Sequence, residues 1–128
     1  MFAGNIEKLT LENTDYRRVI STSKYLQLVL MNIPVGEDIE FEIHPYNDQF
    51  FRIEQGTGEI RFGKNQEERI LIKDQSGVII PHNTYHRVIN TGNVPLKLYT
   101  IYGPPNHPKN KVEHTKNEYI KTLLKILL

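Results

Sequence analysis

The chain has 128 residues and a formal net charge of +1, from 16 basic and 15 acidic side chains. This length suits one domain with a single core, and the balanced charge argues against nucleic acid as a partner, because nucleic-acid-binding proteins usually carry a clustered basic surface. The absence of cysteine excludes disulfides and thiolate metal ligands, so any metal is held by His, Asp, Glu, Gln or Asn.

The beginning of the chain lacks the basic segment and apolar core of a signal peptide. No apolar run approaches the roughly 20 residues that a membrane span needs. We therefore expect a soluble cytoplasmic protein without a membrane partner.

The N-terminal third of the chain predicts three strands of unequal strength. Asn5–Leu11 predicts a short edge strand, and Arg17–Ile20 a strand within a loop. Lys24–Ile33 is rich in β-forming residues and predicts the first firm strand. Pro34 and Gly36 end it in a turn.

The next segment, residues 37–44, alternates in polarity with the period of a strand. One predicted face carries Ile39, Phe41 and Ile43, and the opposite face carries Glu40, Glu42 and His44. In an exposed sheet the polar face would contact water, whereas in a small barrel it would line a pocket.

The remaining strands are short and separated by turns, a pattern typical of a sandwich or barrel. The predicted strands are Gln49–Glu54, Glu59–Phe62, Arg69–Lys73, Val78–Ile80, His86–Asn90 and Leu96–Tyr102. The second and third of these flank a polar loop and predict a hairpin.

After a Pro-rich loop over Gly103–His114, the sequence predicts a helix that begins at Thr115. Thr115 and Glu118 have the spacing of a capping box. Apolar residues then repeat at helical spacing, namely Ile120, Leu123, Leu124 and Leu127. We expect one domain over residues 1–128, with a barrel core at about 24–103 followed by a C-terminal loop and helix over 104–128.

Two separated stretches contain the candidate metal ligands. Glu42 and His44 lie two residues apart on a strand, so their side chains point the same way. Gln49 begins the next strand and can face the same interior. His86 comes from a distant stretch, and spacing alone does not place it near the others.

At these positions the sequence resembles the cupins, whose first motif is G-x5-H-x-H-x3–4-E-x6-G and whose second is G-x5-P-x-G-x2-H-x3-N. The intervals of the first motif are kept by Gly36, Glu42, His44, Gln49 and Gly56. The intervals of the second are kept by Gln75, Pro81, Asn83, His86 and Asn90. The resemblance extends from Asn5 to about Glu118, and it implies an all-β, double-stranded β-helix (jelly-roll) barrel with a short C-terminal α-helix.

The resemblance also implies one bound divalent metal, with departures from the family pattern. Glu42 stands at the first histidine and Gln49 at the glutamate, so the implied ligands are Glu42, His44, Gln49 and His86. Two histidines and one carboxylate suit divalent iron, and manganese, zinc or nickel also accept these ligands. Gln49 is a poorer, neutral ligand that either binds weakly or hydrogen-bonds beside the metal. Asn83 can keep its turn because asparagine tolerates positive φ, whereas Gln75 indicates an altered turn.

Two functions remain open at this point, besides a structural barrel whose site is empty. One is a metal-dependent enzyme of isomerase or dioxygenase type that acts on a small organic molecule, in which Glu42, if displaced from the metal, serves as a general base. The other is a non-catalytic module that binds or senses a small molecule, which the neutral Gln49 favours. The resemblance also implies a homodimer.

Side chains elsewhere have simpler interpretations. We expect His82, His107 and His114 to be solvated loop residues. Tyr102 either lines the mouth of a pocket or packs in the core.

Overall fold

Ten strands and two helices make up the computed structural model, which describes residues 1–127, apart from the side chains of Phe41, Thr122, Ile126 and Leu127. The elements are α1 (Ile6–Glu12), β1 (Arg17–Thr22), β2 (Gln27–Ile33), β3 (Asp38–Glu42), β4 (Asp48–Gln55), β5 (Thr57–Phe62), β6 (Glu68–Lys73), β7 (Gly77–Ile80), β8 (His86–Asn90), β9 (Leu96–Gly103), β10 (Val112–Glu113) and α2 (Lys116–Leu127). Among these elements, no helix is long and apolar enough to cross a membrane.

The strands form two antiparallel sheets with the orders β10-β1-β2-β9-β4-β7 and β3-β8-β5-β6. Inward residues of both sheets, such as Met31, Phe51, Ile60 and Val88, join one buried apolar cluster. Facing antiparallel sheets around one core form the jelly-roll barrel that the sequence predicts, and α2 is the predicted C-terminal helix.

The prediction of an edge strand over Asn5–Leu11 is wrong, because this segment forms helix α1. The side chain of Asn5 caps the helix by accepting a hydrogen bond from the Lys8 amide at 3.0 Å. Ile6, Leu9, Thr10 and Leu11 are its less exposed residues, and this set follows one side of a helix instead of alternating along a strand. The short apolar pattern fits both structures, and the N-cap decides between them.

Strand β2 begins at Gln27 instead of the predicted Lys24. Tyr25 and Leu26 are exposed, and the Ser23 amide donates to the carbonyl of Leu26 in a turn. These residues therefore belong to the β1–β2 connection despite their β-forming character.

Strand β10 lies in the segment predicted as a loop, and an ion pair accompanies it. Glu113 pairs with Arg17 across the sheet, and their side chains form an ion pair of 2.6 Å while only 3% and 1% exposed. The Arg17 guanidinium also lies near the rings of Tyr16 and Tyr119, at 5.4 and 4.9 Å from their centroids. Helix α2 thus packs over a buried charge pair.

Helix α2 starts close to its predicted position. The Thr115 hydroxyl accepts from the Glu118 amide at 3.2 Å, and the Glu118 carboxylate accepts from the His114 amide at 2.8 Å. In a capping box the glutamate would accept from the amide of Thr115 itself, whereas here it accepts from the amide of the residue before it. Lys116 then pairs with Asp38 and Glu40 on β3, which fixes the helix against the second sheet. The Leu127 side chain of the predicted apolar face lies outside the described residues.

Glu113→Ala should destabilise the protein by about 3–5 kcal/mol, because it leaves the buried Arg17 charge without a partner. Arg18→Ala is the control, since it removes the half-exposed pair with Asp15 and should cost less than about 1 kcal/mol. Urea unfolding measures both changes. Equal costs for the two variants would contradict the assigned role of the buried pair.

His114 is exposed, as predicted, yet its Nδ1 lies 2.6 Å from Asp15 Oδ1. This hydrogen bond raises the pKa of His114 above its ordinary value of 6.5. The resulting stabilisation should be complete below pH 6.5, down to the acidic range that protonates Asp15, and should be lost as the pH rises through the raised pKa. The difference in unfolding free energy between wild-type and His114→Gln protein, measured across pH, should therefore vanish on the alkaline side. A difference that is constant with pH would contradict the assignment.

Candidate metal centre

Three of the four predicted ligands lie together inside the barrel. Ligand atoms of Glu42, His44 and His86 all lie within 4.8 Å of one another. Glu42 Oε1 is 3.1 Å from His44 Nε2 and 3.6 Å from His86 Nε2. The His44 and His86 rings are 5.3 Å apart between centroids. The fold brings the residues of the two motifs together, which spacing alone does not predict.

A β-bulge in β3 turns Glu42 toward His86. Ile39 pairs with Val88 and Glu42 with His86, and the register shifts between these two pairs. Val88 and His86 are two residues apart and both buried, so Ile39 and Glu42 face the same interior although they are three apart. The predicted strict alternation, which placed Ile39 and Glu42 on opposite faces, is therefore wrong at the bulge.

One ring nitrogen of His86 is hydrogen-bonded, and the other has no hydrogen-bond partner among the described residues. Nδ1 lies 2.9 Å from the carbonyl of Thr84, an acceptor that requires Nδ1 to carry the proton. In the neutral imidazole Nε2 is then the nitrogen with the free lone pair, and it is buried without a hydrogen-bond partner among the described residues. Histidines that bind metals typically donate their second nitrogen to such a carbonyl, which fixes the tautomer and the ring orientation.

The loop that carries the second motif also holds His44 in place. The Asn83 amide donates to the carbonyl of His44 at 2.9 Å. Asn83 has φ of 62° and so keeps the left-handed turn predicted for it; Gln75 is also left-handed, with φ of 72°. The glycine conformation therefore survives at both positions, and the second motif supports His44 through its backbone as well as supplying His86.

Gln49 is buried next to Tyr102, whose ring contacts that of His44, and the orientation of its amide is fixed. The Thr100 hydroxyl donates to the carbonyl of Phe50 at 3.1 Å, so its oxygen accepts from Gln49 Nε2 at 3.0 Å. Nε2 also lies 3.4 Å from the Tyr102 hydroxyl. Gln49 Oε1, the atom of an amide that binds cations, is left buried without a partner among the described residues.

Burial of Glu42 opposes its ionisation, but His44 and His86 outweigh that effect and hold its pKa well below the ordinary value when their nitrogens facing the carboxylate carry protons. Glu42 is therefore an anion between two imidazoles. A carboxylate with a low pKa is a good cation ligand and a weak proton acceptor, which favours the ligand role over the role of general base.

Tyr102 and His107 extend this polar interior, and sequence reasoning gave them no definite role. The Tyr102 ring meets the rings of His44 and His107 edge-on, at 5.5 and 5.2 Å between centroids. Burial, with a smaller effect of the Arg17 charge, lowers the pKa of His107 to about 3, so this residue is neutral and half-buried rather than solvated as predicted. Buried residues alternate strictly along β9 in the structure, and the sequence signal for an inward Tyr102 was its even spacing from Leu96 and Leu98.

His107 is fixed in place by contacts between distant segments. The Gln27 side chain accepts from the amides of Asn106 and His107 at 3.0 and 2.9 Å and donates to the carbonyl of His107 at 2.7 Å. The glutamine is on β2 and almost completely buried. No local sequence pattern indicates this clamp.

The donor set fits a divalent metal ion. It combines one carboxylate, two imidazoles, of which that of His86 has a buried nitrogen without a partner, and the unpartnered buried oxygen of Gln49. Buried polar atoms without partners are rare in folded proteins, and a bound ion is one ordinary reason for them.

A small antiparallel jelly-roll barrel with such an interior group is characteristic of one class of protein. The chain belongs to the cupin family: residues 29–102 match the family model described as a cupin domain.

Comparison with known proteins agrees with this assignment. The chain is 46% identical over 122 residues to the uncharacterized protein YrkC of Bacillus subtilis, covering 93% of this chain and 66% of YrkC. Its structure is similar to the crystal structure of BH2720 from Bacillus halodurans, with 46% identity, a TM-score of 0.91 and coverage of 94% and 93% of the two chains.

The fold is also shared with a more distant solved structure. A putative sugar phosphate isomerase from Acidithiobacillus ferrooxidans has a TM-score of 0.57 and 19% identity, over 63% of this chain and 51% of the other. At this identity the likeness concerns the fold alone.

Proposed function

We propose that this cupin is a metal-dependent enzyme for a small organic molecule, with one divalent ion held by Glu42, His44 and His86 and assisted by Gln49. The observation that carries the proposal is the free, buried Nε2 of His86, which lies beside the Glu42 carboxylate while Nδ1 is committed to Thr84. Iron, manganese, zinc and nickel all accept these ligands.

A divalent ion in this position supplies a Lewis acid for substrate oxygens. The side chains supply orientation and charge: Glu42 contributes one negative charge, and the two histidines contribute none when neutral. The Tyr102 hydroxyl lies between Gln49 and His107, with its pKa raised by burial, and so remains a proton donor. Isomerase and dioxygenase chemistry are both compatible with this arrangement.

A non-catalytic binding module is the second candidate. The observation that favours it is Gln49, which places a neutral amide where the family motif has a carboxylate. Assays of the metal-containing protein with sugars, oxo acids and catechols separate the two functions. Turnover of any member supports the enzyme, and binding without turnover supports the module.

We also propose, from the family resemblance, that the protein is a cytoplasmic homodimer. Analytical ultracentrifugation of the purified protein tests the oligomeric state, and a monomer at all accessible concentrations would contradict it.

Protein purified without added metal or chelator should contain about one equivalent of a divalent metal, in keeping with a single His-carboxylate site. Glu42→Ala and His86→Ala should each lose most of it, because each removes a ligand while the rest of the barrel core remains. Elemental analysis measures the content, and circular dichroism confirms folding.

The matched control is His82→Ala, because His82 is an exposed loop histidine on the same stretch as His86 and pairs with Asp48. It should retain wild-type metal content. Equal metal content in wild-type protein and all three variants, or no metal in wild-type protein even after soaking, would exclude the proposed site.

Two substitutions of Gln49 separate ligation from simple packing. Gln49→Leu removes the orphaned oxygen at similar volume and should weaken metal affinity by about 10-fold or more. Gln49→Glu adds a negative charge beside the site and should strengthen it. Competition with a chelator of known affinity gives both values, and unchanged affinity in both variants would show that Gln49 takes no part in binding.

A further inference from the structure

A second feature of the barrel lies where its two sheets have free edges. Strand β6 ends the second sheet and β7 ends the first, and a cavity of about 140 Å³ lies between them. Ile60, Phe62, Ile70 and Val78 form part of its wall, and His86 forms another part. Apart from Thr84 and His86, every lining side chain is apolar.

The cavity extends from the surface inward to His86, one of the three residues of the candidate metal centre. Ile70 on β6 is 49% exposed, whereas Ile60, Ile80 and His86 are buried. Because His86 belongs both to the cavity wall and to the metal-ligand group, a molecule bound at the metal centre has this space beside it. The polar interior, with Gln49, Tyr102 and His107, is built largely from other strands.

Size and chemistry restrict what fits this cavity. An apolar cavity of about 150 Å³ is known to hold one benzene molecule. A hydroxyl or charged group placed there would lose its hydrogen bonds to water without replacement. The space therefore suits an aryl ring or a branched alkyl group, and it disfavours a sugar or a phosphate.

We propose that this cavity binds the apolar part, an aryl or branched alkyl group, of the small molecule whose oxygen atoms bind at the metal centre. This inference deepens the proposed function and depends on it for the polar end of the ligand. It narrows the substrate class to amphiphilic molecules with a compact apolar group.

The first experiment tests the cavity without reference to metal. Toluene is titrated into isotope-labelled protein, and amide resonances of Ile60, Ile80 and His86 should shift in a saturable manner. Ile70→Trp should abolish the shifts, because Ile70 faces the cavity and the larger side chain fills it. If the Ile70→Trp variant does not fold, Ile70→Phe, which adds less volume, is used in its place.

The matched control is Leu71→Trp on the same edge strand. Leu71 is 77% exposed and adjacent to Ile70, so its side chain points to the opposite face of β6. This variant should bind toluene as the wild-type protein does. Absence of saturable shifts in the wild-type protein, or equal shifts in the Ile70 and Leu71 variants, would overturn the inference.

The second experiment joins the cavity to the metal centre. Benzohydroxamate and acetohydroxamate share one chelating group and differ in their apolar part. Metal-containing wild-type and Leu71→Trp protein should bind benzohydroxamate at least about tenfold more tightly, which corresponds to about 1.4 kcal/mol, and Ile70→Trp should lose the preference. Equal affinity in wild-type protein would overturn the inference and leave the proposed function standing.

Two further outcomes distinguish a failure of the proposed function from a failure of the cavity proposal. Protein that holds no metal and binds neither hydroxamate, yet binds toluene, would refute the proposed function while preserving the apolar subsite. A wild-type dimer that dissociates in Ile70→Trp but not in Leu71→Trp would show that a second copy of the chain covers the cavity, and would overturn the inference.

Discussion

The candidate centre depends on one irregularity of the backbone, the bulge between Ile39 and Glu42. A regular strand sends residues three apart to opposite faces, so either Ile39 would leave the core or Glu42 would face solvent. The extra residue lets Ile39 stay in the core while Glu42 also faces inward, and it places the carboxylate opposite His86 on the neighbouring strand. Bulges occur often beside active sites for this reason, since they re-aim one side chain without disturbing the rest of the sheet.

The polar groups that the barrel buries are arranged as connected sets. Gln27, Tyr102 and Gln49 occupy one row across β2, β9 and β4, and each is nearly inaccessible to solvent. Buried polar groups are costly unless they are hydrogen-bonded, and these residues supply partners for one another and for the 103–110 loop. Buried atoms without a hydrogen-bond partner also occur elsewhere among the described residues, for example Arg17 Nε and Glu113 Oε2, whereas Gln49 Oε1 and His86 Nε2 belong to the predicted metal ligands.

Much of the fold followed from periodicity because the barrel strands are short, alternating and separated by turn residues. The convergence of Glu42 and His44 followed from their spacing, and that of His86 followed from the resemblance to a known motif. Glu42 lies 3.1 Å from His44 and 3.6 Å from His86 in the structure, which agrees with both inferences.

The errors have two physical origins, a local ambiguity at the start of the chain and contacts between distant segments elsewhere. Helix α1 was missed because a seven-residue apolar pattern fits a strand as well as a helix, and the cap of Asn5 decides between them. Strand β10 is two residues long and accompanies the ion pair with Arg17. His107 is held against Tyr102 by Gln27, a residue 80 positions away, and no local pattern carries that information.

The charges of the interior bear on the kind of ligand that the centre would accept. Arg17 is neutralised by Glu113, and His107 is neutral because its pKa is low, so Glu42 is left as the formal charge of the ligand group. With a divalent cation the centre would carry a net charge of about one positive unit, which one anionic oxygen donor balances. A group with a second negative charge would find no positive partner there, and burial at low dielectric makes an unbalanced charge costly. The neutral Gln49 contributes to this balance, because a carboxylate in its place would cancel the remaining positive charge and remove the attraction for an anionic ligand.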